Sequence, residues 1–261
     1  MGRLTDAELG VYLTRIGIGE APAADSVGLR ALQLAHRRAI PFENLDVLLG
    51  RGVSLDPAAI FTKLVTMPRG GYCFEHNALF LTALRTIGFK ARPLLGRVWL
   101  GAVDVPPRTH TFSLVHLPDG DWIADAGFGG GDAPPMPLTG NEFVGPDGVT
   151  HRLAREAAHG WMLTRNDVPQ YSFTEDEVWP GDLAQANHWT ATAPASRFIQ
   201  NLVVSLMTAE GLKSFKRSCL PAIGDPRDAI AAGSLAKLLA ADFSIRLSQK
   251  DIAALPLIAR D

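Results

Sequence analysis

Apolar residues in the first third of the chain recur every three or four positions, which is the spacing of an amphipathic helix. Residues that cap a helix N-terminus precede these runs, and the Asp56-Pro57 pair combines a cap with a proline at the first helical position. Gly88 ends the last of the runs. The pattern therefore predicts four helices, which begin near Asp6, Ser26, Asp56 and Cys73.

After Gly88 the apolar pattern changes from helical spacing to alternation. Short segments rich in β-branched and aromatic residues are separated by Gly, Pro and Asp, and residues 118–121 have the composition of a hairpin turn. From Asn187 the pattern is mixed, with an extended stretch over 198–208 and a helical stretch over 229–243. Before that point, strands are predicted within 92–101, 108–117, 120–129, 161–163 and 171–173.

These changes divide the chain into three parts and indicate an α+β fold: a helical part over 1–87, a β part over 88–186 and an α/β tail over 187–261. The 25 Lys and Arg nearly balance 27 Asp and Glu, so charge gives no reason to expect nucleic acid or a membrane as partner. No apolar run could span a bilayer, and the N-terminus lacks the apolar core of a signal peptide. With only two cysteines in addition, we expect a cytoplasmic protein.

One of the two cysteines, Cys73, has a setting that suits a nucleophile. It follows a Gly-Gly turn and begins a predicted helix, in the stretch PRGGYCFEHN. Unpaired N–H groups in a first helical turn stabilise a thiolate, and the glycines leave room for a substrate. The alternative is a small buried residue without chemistry, which is the commoner role of a cysteine at a helix start. Cys219 has no such surroundings and is interpreted as structural.

A nucleophilic thiol needs an imidazole within hydrogen-bond distance. His76 lies one turn into the same helix, beside or behind the thiol, and its Cys-x-x-His spacing is half of a metal site that no second pair completes. His110 begins a strand, and Asp125 lies near the end of the next. An antiparallel hairpin would place these two side by side, where a carboxylate fixes the tautomer of the imidazole. Cys73, His110 and Asp125 are therefore a candidate triad, although each type is also common in structural positions.

The blocks around these positions resemble the arylamine N-acetyltransferases. The blocks are RGGYCFEHN from Arg69, IPFENLD from Ile40, His110 with the following Thr-Phe, and DAGFG from Asp125, with weaker similarity in YLTRIG and NHWTATAPASRFIQNL. The resemblance covers about Tyr12 to Leu202. It implies a helical bundle that carries Cys73, a β-barrel that carries His110 and Asp125, an α/β lid, and a catalytic core like that of cysteine proteases and transglutaminases.

The resemblance also implies a ping-pong reaction. Acetyl-CoA, a co-substrate and not a tightly bound cofactor, would acylate Cys73, and an arylamine, arylhydrazine or arylhydroxylamine would then take the acetyl group in xenobiotic metabolism. His110 would activate the thiol, Asp125 would orient His110, and no metal ion is expected. The remaining implied positions are the backbone oxyanion donors Cys73 and Thr111, the acceptor-pocket residues Phe42, Val98 and Phe128, the CoA-binding residues Gly129 and Gly130, and the structural pair Arg69 and Glu43.

Two other functions are compatible with the same residues. A transglutaminase-like enzyme or another cysteine amide hydrolase uses the same order of Cys, His and Asp. However, Phe74 stands where transglutaminases typically have Trp, and a papain-type enzyme expects its histidine far later than His110. A non-catalytic small-molecule binding protein is the third reading, which an intact triad argues against. The oligomeric state is left open.

Overall fold

The structure is a computed structural model that describes residues 2–131, 134–144, 148–219 and 230–258. Its N-terminal part contains the four predicted helices, each begun by a cap or a turn that the sequence supplies. Thr5 accepts from the Glu8 N–H, Asp25 accepts from the Gly28 N–H, and Asp56 accepts from the Ala59 N–H. The helices of this part are α1 (Asp6–Arg15), α2 (Ser26–Ala39), α3 (Leu45–Leu48), α4 (Pro57–Phe61) and α5 (Cys73–Ile87).

The third predicted helix differs from expectation in its second half. The α-helical hydrogen bonds end at Phe61, and a single π turn continues over Thr62–Thr66. This turn carries Lys63 towards Glu75, to which its ammonium group donates at 2.7 Å. The fourth helix, α5, is buried at every position from Cys73 to Leu84, so it forms the centre of the helical part.

The middle of the chain forms an eight-stranded antiparallel sheet that curves into a nearly closed barrel, in the order β5-β4-β3-β2-β9-β8-β7-β6. A two-residue turn joins β3 to β4, as the composition of 118–121 predicts, and pairs Ser113 with Ala124. The α+β fold class is confirmed. The strands are β2 (Lys90–Val98), β3 (Arg108–Leu117), β4 (Gly120–Ala124), β5 (Met136–Pro137), β6 (Glu142–Val144), β7 (Thr150–Glu156), β8 (Gly160–Arg165) and β9 (Val168–Phe173), while the short β1 (Phe42–Glu43) lies in a second sheet.

The C-terminal part packs helices on a small sheet whose third strand comes from the N-terminal part. Strand β1 pairs with β10, so the segment after α2 is bound directly to the tail of the chain. The predicted extended stretch from Phe198 is wrong in its first three residues, because the chain stays helical to Gln200 before β10 starts. The elements are α6 (Pro180–Thr192), α7 (Arg197–Gln200), β10 (Asn201–Thr208), β11 (Gly211–Ser218), α8 (Ala232–Phe243) and α9 (Gln249–Ala254).

Helix α6 was not expected, and the boundary drawn between 186 and 187 falls inside it. The division of the chain into residues 1–87, 88–186 and 187–261 remains a prediction. None of the helices in the described ranges is both long and apolar enough to cross a membrane. The predicted helical stretch over 229–243 corresponds to α8, and residue 229 lies outside the described residues.

Candidate active site

Cys73 is the first residue of α5, and two contacts hold the turn before it. The Glu75 carboxylate accepts from the Tyr72 N–H at 3.1 Å, which closes the first turn of the helix. The Gly71 carbonyl accepts from the Glu43 N–H at 2.8 Å, so the turn is joined to β1. Cys73 is 3% exposed, and what remains accessible faces a cavity. Its amide belongs to the unpaired first turn of a helix, where N–H groups are free to bind an anion.

His110 and Asp125 lie beside the thiol, on the hairpin that the alternating pattern predicts. The Nε2 atom of His110 is 2.7 Å from Oδ2 of Asp125, and both side chains are almost fully buried. This leaves Nδ1 as the ring nitrogen for the hydrogen bond that His110 shares with Cys73. The Cys73 Sγ atom also lies 3.9 Å from the Thr109 carbonyl oxygen. The structure thus brings together all three members of the candidate triad.

The Asp125 carboxylate is oriented by residues to which the sequence analysis assigned no role. Its Oδ1 atom accepts from the Asn77 side chain and from the Gly127 N–H, each at 3.0 Å, while the Asp125 N–H donates to Gln33 at 2.7 Å. Gly127 passes so close to α5 that a Cβ atom there would lie 3.0 Å from the Cys73 Cα. Asn77 is part of the EHN block and could have been found from it, whereas Gln33 comes from α2 and carries no local pattern.

Burial and charge act in opposite directions on this pair. Burial alone would lower the pKa of His110, but the charge of Asp125 and hydrogen bonds with Asp125 and Cys73 raise it to about 10. Burial alone would raise the pKa of Asp125, but the charge and hydrogen bond of His110 lower it below its ordinary value, helped by Asn77. Each group therefore favours the charged form of the other. The imidazole is held as an imidazolium at neutral pH.

A second buried site contains two histidines, His36 from α2 and His76 from α5. The Tyr12 hydroxyl is 2.8 Å from Nδ1 of His36, Nε2 of His36 is 2.9 Å from Nδ1 of His76, and Nε2 of His76 is 3.0 Å from the Pro41 carbonyl oxygen. Because a carbonyl only accepts, His76 donates from Nε2, His36 donates to His76, and Tyr12 donates to His36. Burial lowers the pKa of both imidazoles, that of His76 to about 4, and no carboxylate of the described residues contacts either ring. Both ring nitrogens of His76 are thus bonded to His36 and Pro41 and not to the Cys73 thiol.

The thiol opens into a cavity of about 630 Å³ between the barrel and the C-terminal part. This volume is within the range of small-molecule sites. Phe42, Val98, Phe128, Gly129 and Gly130 all line it together with Cys73 and His110. Thr111 does not line it. No sequence pattern indicated the opposite wall, which α6, α7 and β11 supply through Trp189, Arg197, Phe198, Phe215 and Lys216.

Arg69 and Glu43 form a buried ion pair below the cysteine turn. The Glu43 Oε1 atom lies 2.8 Å from Nε and 2.7 Å from Nη2 of Arg69, and its Oε2 atom accepts from the Leu45 N–H. Arg69 also lies 3.0 Å from Asp46, which Lys63 contacts in turn at 2.7 Å. Burial lowers the pKa of Arg69, but these two carboxylates raise it above its ordinary value. The pair joins β1 to the segment that precedes Cys73.

Comparison with known proteins decides the family. A sequence model described as N-acetyltransferase matches residues 27–252. The arylamine N-acetyltransferase / N-hydroxyarylamine O-acetyltransferase of Salmonella typhimurium is 40% identical over an alignment of 220 residues that covers 78% of this chain and 75% of that protein. The arylamine N-acetyltransferase of Mycolicibacterium smegmatis is 39% identical over an alignment of 217 residues that covers 77% of each chain. The chain belongs to the arylamine N-acetyltransferase family.

Solved structures of this family match the whole architecture. The Salmonella typhimurium arylamine N-acetyltransferase superposes with a TM-score of 0.84 at 32% identity, over 97% of this chain and 99% of that one. The Mycobacterium marinum arylamine N-acetyltransferase in complex with CoA superposes with a TM-score of 0.83 at 28% identity, over 96% and 100%. The family resemblance stated from the sequence blocks is confirmed, and the chain is an acyltransferase.

Neither cysteine of this arylamine N-acetyltransferase family member forms a disulfide, so the Cys73 thiol is free to react. Within the part of the chain that the structure describes, no three His, Cys, Asp or Glu side chains cluster in a way that could hold a metal ion.

Proposed function

We propose that this protein transfers an acetyl group from acetyl-CoA to the nitrogen of an aromatic amine, hydrazine or hydroxylamine through an acetyl-Cys73 intermediate. Acetyl transfer from acetyl-CoA is the general reaction of the family. The observation that carries the proposal for this chain is the hydrogen-bonded chain of Cys73, His110 and Asp125 at the end of a 630 Å³ cavity. A thiol, an imidazole and an orienting carboxylate in this order are the parts of covalent acyl transfer.

In the first half-reaction His110 holds the proton of the Cys73 thiol, and the Cys73 sulfur attacks the thioester carbonyl of acetyl-CoA. The carbon–sulfur bond to CoA then breaks, and the proton held on His110 accompanies the departing CoA thiolate. The oxygen of the tetrahedral intermediate carries a negative charge, which N–H groups stabilise. The Cys73 N–H at the start of α5 suits this role. We assign the second donor to the Thr111 N–H from the family pattern alone, since Thr111 does not line the cavity.

In the second half-reaction the amine nitrogen attacks the acetyl carbon on Cys73, and the carbon–sulfur bond to the protein breaks. The neutral imidazole of His110 takes the proton from nitrogen, which restores the starting state. Phe42, Val98 and Phe128 line the cavity with Cys73, and apolar, flat walls fit an aromatic ring better than an alkyl amine. The same walls also serve packing, since Phe42 stacks on His76 with centroids 6.2 Å apart.

The donor side of the proposal rests on the loop after Asp125. Gly129 and Gly130 line the cavity, and we place the pantetheine arm of acetyl-CoA along them. The Mycobacterium marinum relative, with a TM-score of 0.83, was solved in complex with CoA, which supports a donor of this kind. We further propose a cytoplasmic location and a part in xenobiotic metabolism, in keeping with two unpaired cysteines and an aromatic acceptor.

Intact-protein mass spectrometry after mixing with acetyl-CoA tests the proposal. We expect one acetyl group per chain, mapped by peptide analysis to Cys73, which leaves when aniline is added and stays when cyclohexylamine is added. The Cys219→Ala variant is the matched control and keeps the adduct, whereas Cys73→Ser forms none. An adduct on Cys219 alone, or none at all with folded protein, would refute the proposal. Release of acetate to water at the same rate without an amine would favour the hydrolase alternative.

A further inference from the structure

Lys63 reaches the cysteine turn because it lies on the π turn that follows α4. The Met67 N–H donates to the Thr62 carbonyl at 3.0 Å, five residues back, where an α-helix bonds four residues back. The wider turn directs the Lys63 ammonium group to Oε1 of Glu75, at 2.7 Å. Single π turns in helices are frequent at functional sites. Backbone geometry therefore places Lys63 against the helix that begins with Cys73.

The Glu75 carboxylate divides its two oxygens between Lys63 and the turn before Cys73. Oε1 accepts from Lys63, whereas Oε2 accepts from the Tyr72 N–H at 3.1 Å. Gly71 permits this contact, because a Cβ atom there would lie 2.6 Å from Oε2. The Glu75 side chain is 4% exposed, so bulk water has little access to either bond. One buried carboxylate thus joins the residue directly before the nucleophile to a cation on another element.

Charged side chains from neighbouring elements face this contact. The Asp46 Oδ2 atom lies 2.7 Å from Lys63 Nζ and 3.0 Å from Arg69 Nη2, and Arg69 is bonded to Glu43 of β1. Burial raises the pKa of Glu75 to about 7, although the charge and hydrogen bond of Lys63 lower it, and the Glu43 charge adds to the rise. Burial lowers the pKa of Lys63, but the three carboxylates raise it above its ordinary value. Without Lys63, burial would hold Glu75 in its neutral form at neutral pH.

We propose that Lys63 and Glu75 are a positioning pair for the nucleophile. Lys63 keeps the Glu75 carboxylate ionised, and the ionised carboxylate holds the Tyr72 N–H. That bond fixes the first turn of α5, which presents Cys73 to the cavity. An ionised acceptor binds a backbone N–H about twice as strongly as a neutral one, so loss of the charge loosens the turn. The inference rests on the proposed function only in taking the Cys73 thiol as the nucleophile.

The rate at which iodoacetamide alkylates Cys73, followed by mass spectrometry against pH, tests the pair without any acyl donor. In the wild type we expect the rate to fall on the acid side with a midpoint near pH 7, where Glu75 gains its proton. Glu75→Gln should lack this fall, because the amide oxygen still accepts from the Tyr72 N–H but does not titrate.

Lys63→Met should move the midpoint to higher pH and lower the alkylation rate at about pH 7.5 by roughly tenfold, since Glu75 loses the cation that keeps it charged. Adding Glu75→Gln to this variant should restore the rate to within about threefold of that of Glu75→Gln alone, because a neutral acceptor needs no cation. A lysine that only packed against α5 would leave the double variant as slow as Lys63→Met. Lys213→Met, which breaks the exposed pair with Asp242, is the matched control and keeps the wild-type profile.

An acid-side fall that persists in Glu75→Gln, or a double variant as slow as Lys63→Met, would overturn the inference. If Lys63→Met does not fold, the pH profiles of the wild type and of Glu75→Gln decide alone. The proposed function fails separately, when acetyl-CoA leaves no adduct on a Cys73 that iodoacetamide alkylates in the wild-type protein.

Discussion

Two buried histidine sites at helix α5 differ in charge. The first is His110 with Asp125, and the second is His36 with His76. His110 contacts a carboxylate at 2.7 Å, and its pKa is raised to about 10. His36 and His76 contact each other at 2.9 Å, no carboxylate in the described part of the chain contacts them, and their pKa values are lowered. Burial is nearly complete in both pairs. The difference in pKa therefore comes from the partner of each histidine and not from its depth of burial.

The comparison separates a reactive site from a structural one. An imidazolium beside a thiol can stabilise a thiolate and later deliver a proton to a leaving group. A neutral imidazole that donates to a backbone carbonyl instead fixes a chain segment, here Pro41 next to the cavity residue Phe42. Helix α5 thus presents a nucleophile on one side and, one turn later, a neutral support on the other. A histidine near a cysteine is not by itself a base.

The largest expected effect comes from removing the carboxylate that distinguishes the pairs. Asp125→Asn leaves His110 with a neutral partner and permits the wrong tautomer, so we expect acetyl transfer to fall by about 10³–10⁴-fold. Steady-state kinetics with acetyl-CoA and an aromatic amine measure the fall. The hairpin offers a matched control, Asp121, which lies 2.6 Å from the exposed His116. Asp121→Asn should keep nearly full activity; equal activity of both variants would contradict the assignment.

The loss of one partner should also be costly in the buried ion pair of Arg69 and Glu43, which lies below Cys73. Arg69→Gln removes the cation that contacts the fully buried Glu43 side chain, and Lys63 is then the remaining cation for Glu43, Asp46 and Glu75. We expect a loss of about 3–5 kcal/mol in the free energy of unfolding. Thermal and urea melts measure it, and Arg155→Gln, which breaks the exposed pair with Glu175, is the control with a loss below about 1 kcal/mol. A melting curve of Arg69→Gln that matches the wild type would contradict the stabilising role of the Arg69–Glu43 pair.

The two histidine pairs should respond to pH with opposite sign. The pKa of His76 is about 4 in the folded protein, below the value of about 6.5 in an unfolded chain, so the unfolded state binds more protons between these values. The stability from neutral His76 is full above about pH 6.5 and is lost as pH falls towards 4, by about 3 kcal/mol. The stability from charged His110 is full below about pH 6.5 and is lost as pH rises through about 10.

Urea unfolding between pH 7.5 and pH 4.5 checks the acid side. We expect His76→Gln to reduce the loss of stability on acidification, because the amide can donate to Pro41 without titrating. The exposed His188→Gln variant should keep the wild-type slope. An unchanged slope in His76→Gln would show that folding does not lower the pKa of His76.

The positions of Cys73, His110 and Asp125 could be predicted from the sequence, because their signals are local. The Gly-Gly turn and the apolar run after it define the start of α5, and a two-residue turn brings His110 and Asp125 together by strand register. The PFENL and RGGxCxEHN blocks then add the bracing pair. These features need only short stretches of chain and simple spacing.

The contact between His36 and His76 and the C-terminal wall of the cavity could not be predicted in the same way. His36 and His76 come from two helices, and the contact depends on how α2 packs against α5. The wall that carries Arg197 and Lys216 is assembled from α7 and β11, far along the chain from Cys73. Helix α6 was missed because small and polar residues dilute its apolar face between Pro180 and Thr192. Its contacts with the rest of the fold, which no local pattern reports, fix it as a helix.

Nitrogen NMR of the histidine side chains tests the central claim most directly, since the ring shifts separate imidazolium from each neutral tautomer. At pH 7.5 we expect His110 to be protonated on both nitrogens, and His36 and His76 to be neutral with the proton on Nε2. In Asp125→Asn the His110 signal should move to the neutral form. A neutral His110 in the wild-type protein at this pH would contradict the account, because the carboxylate would then not hold the imidazolium that the thiol requires.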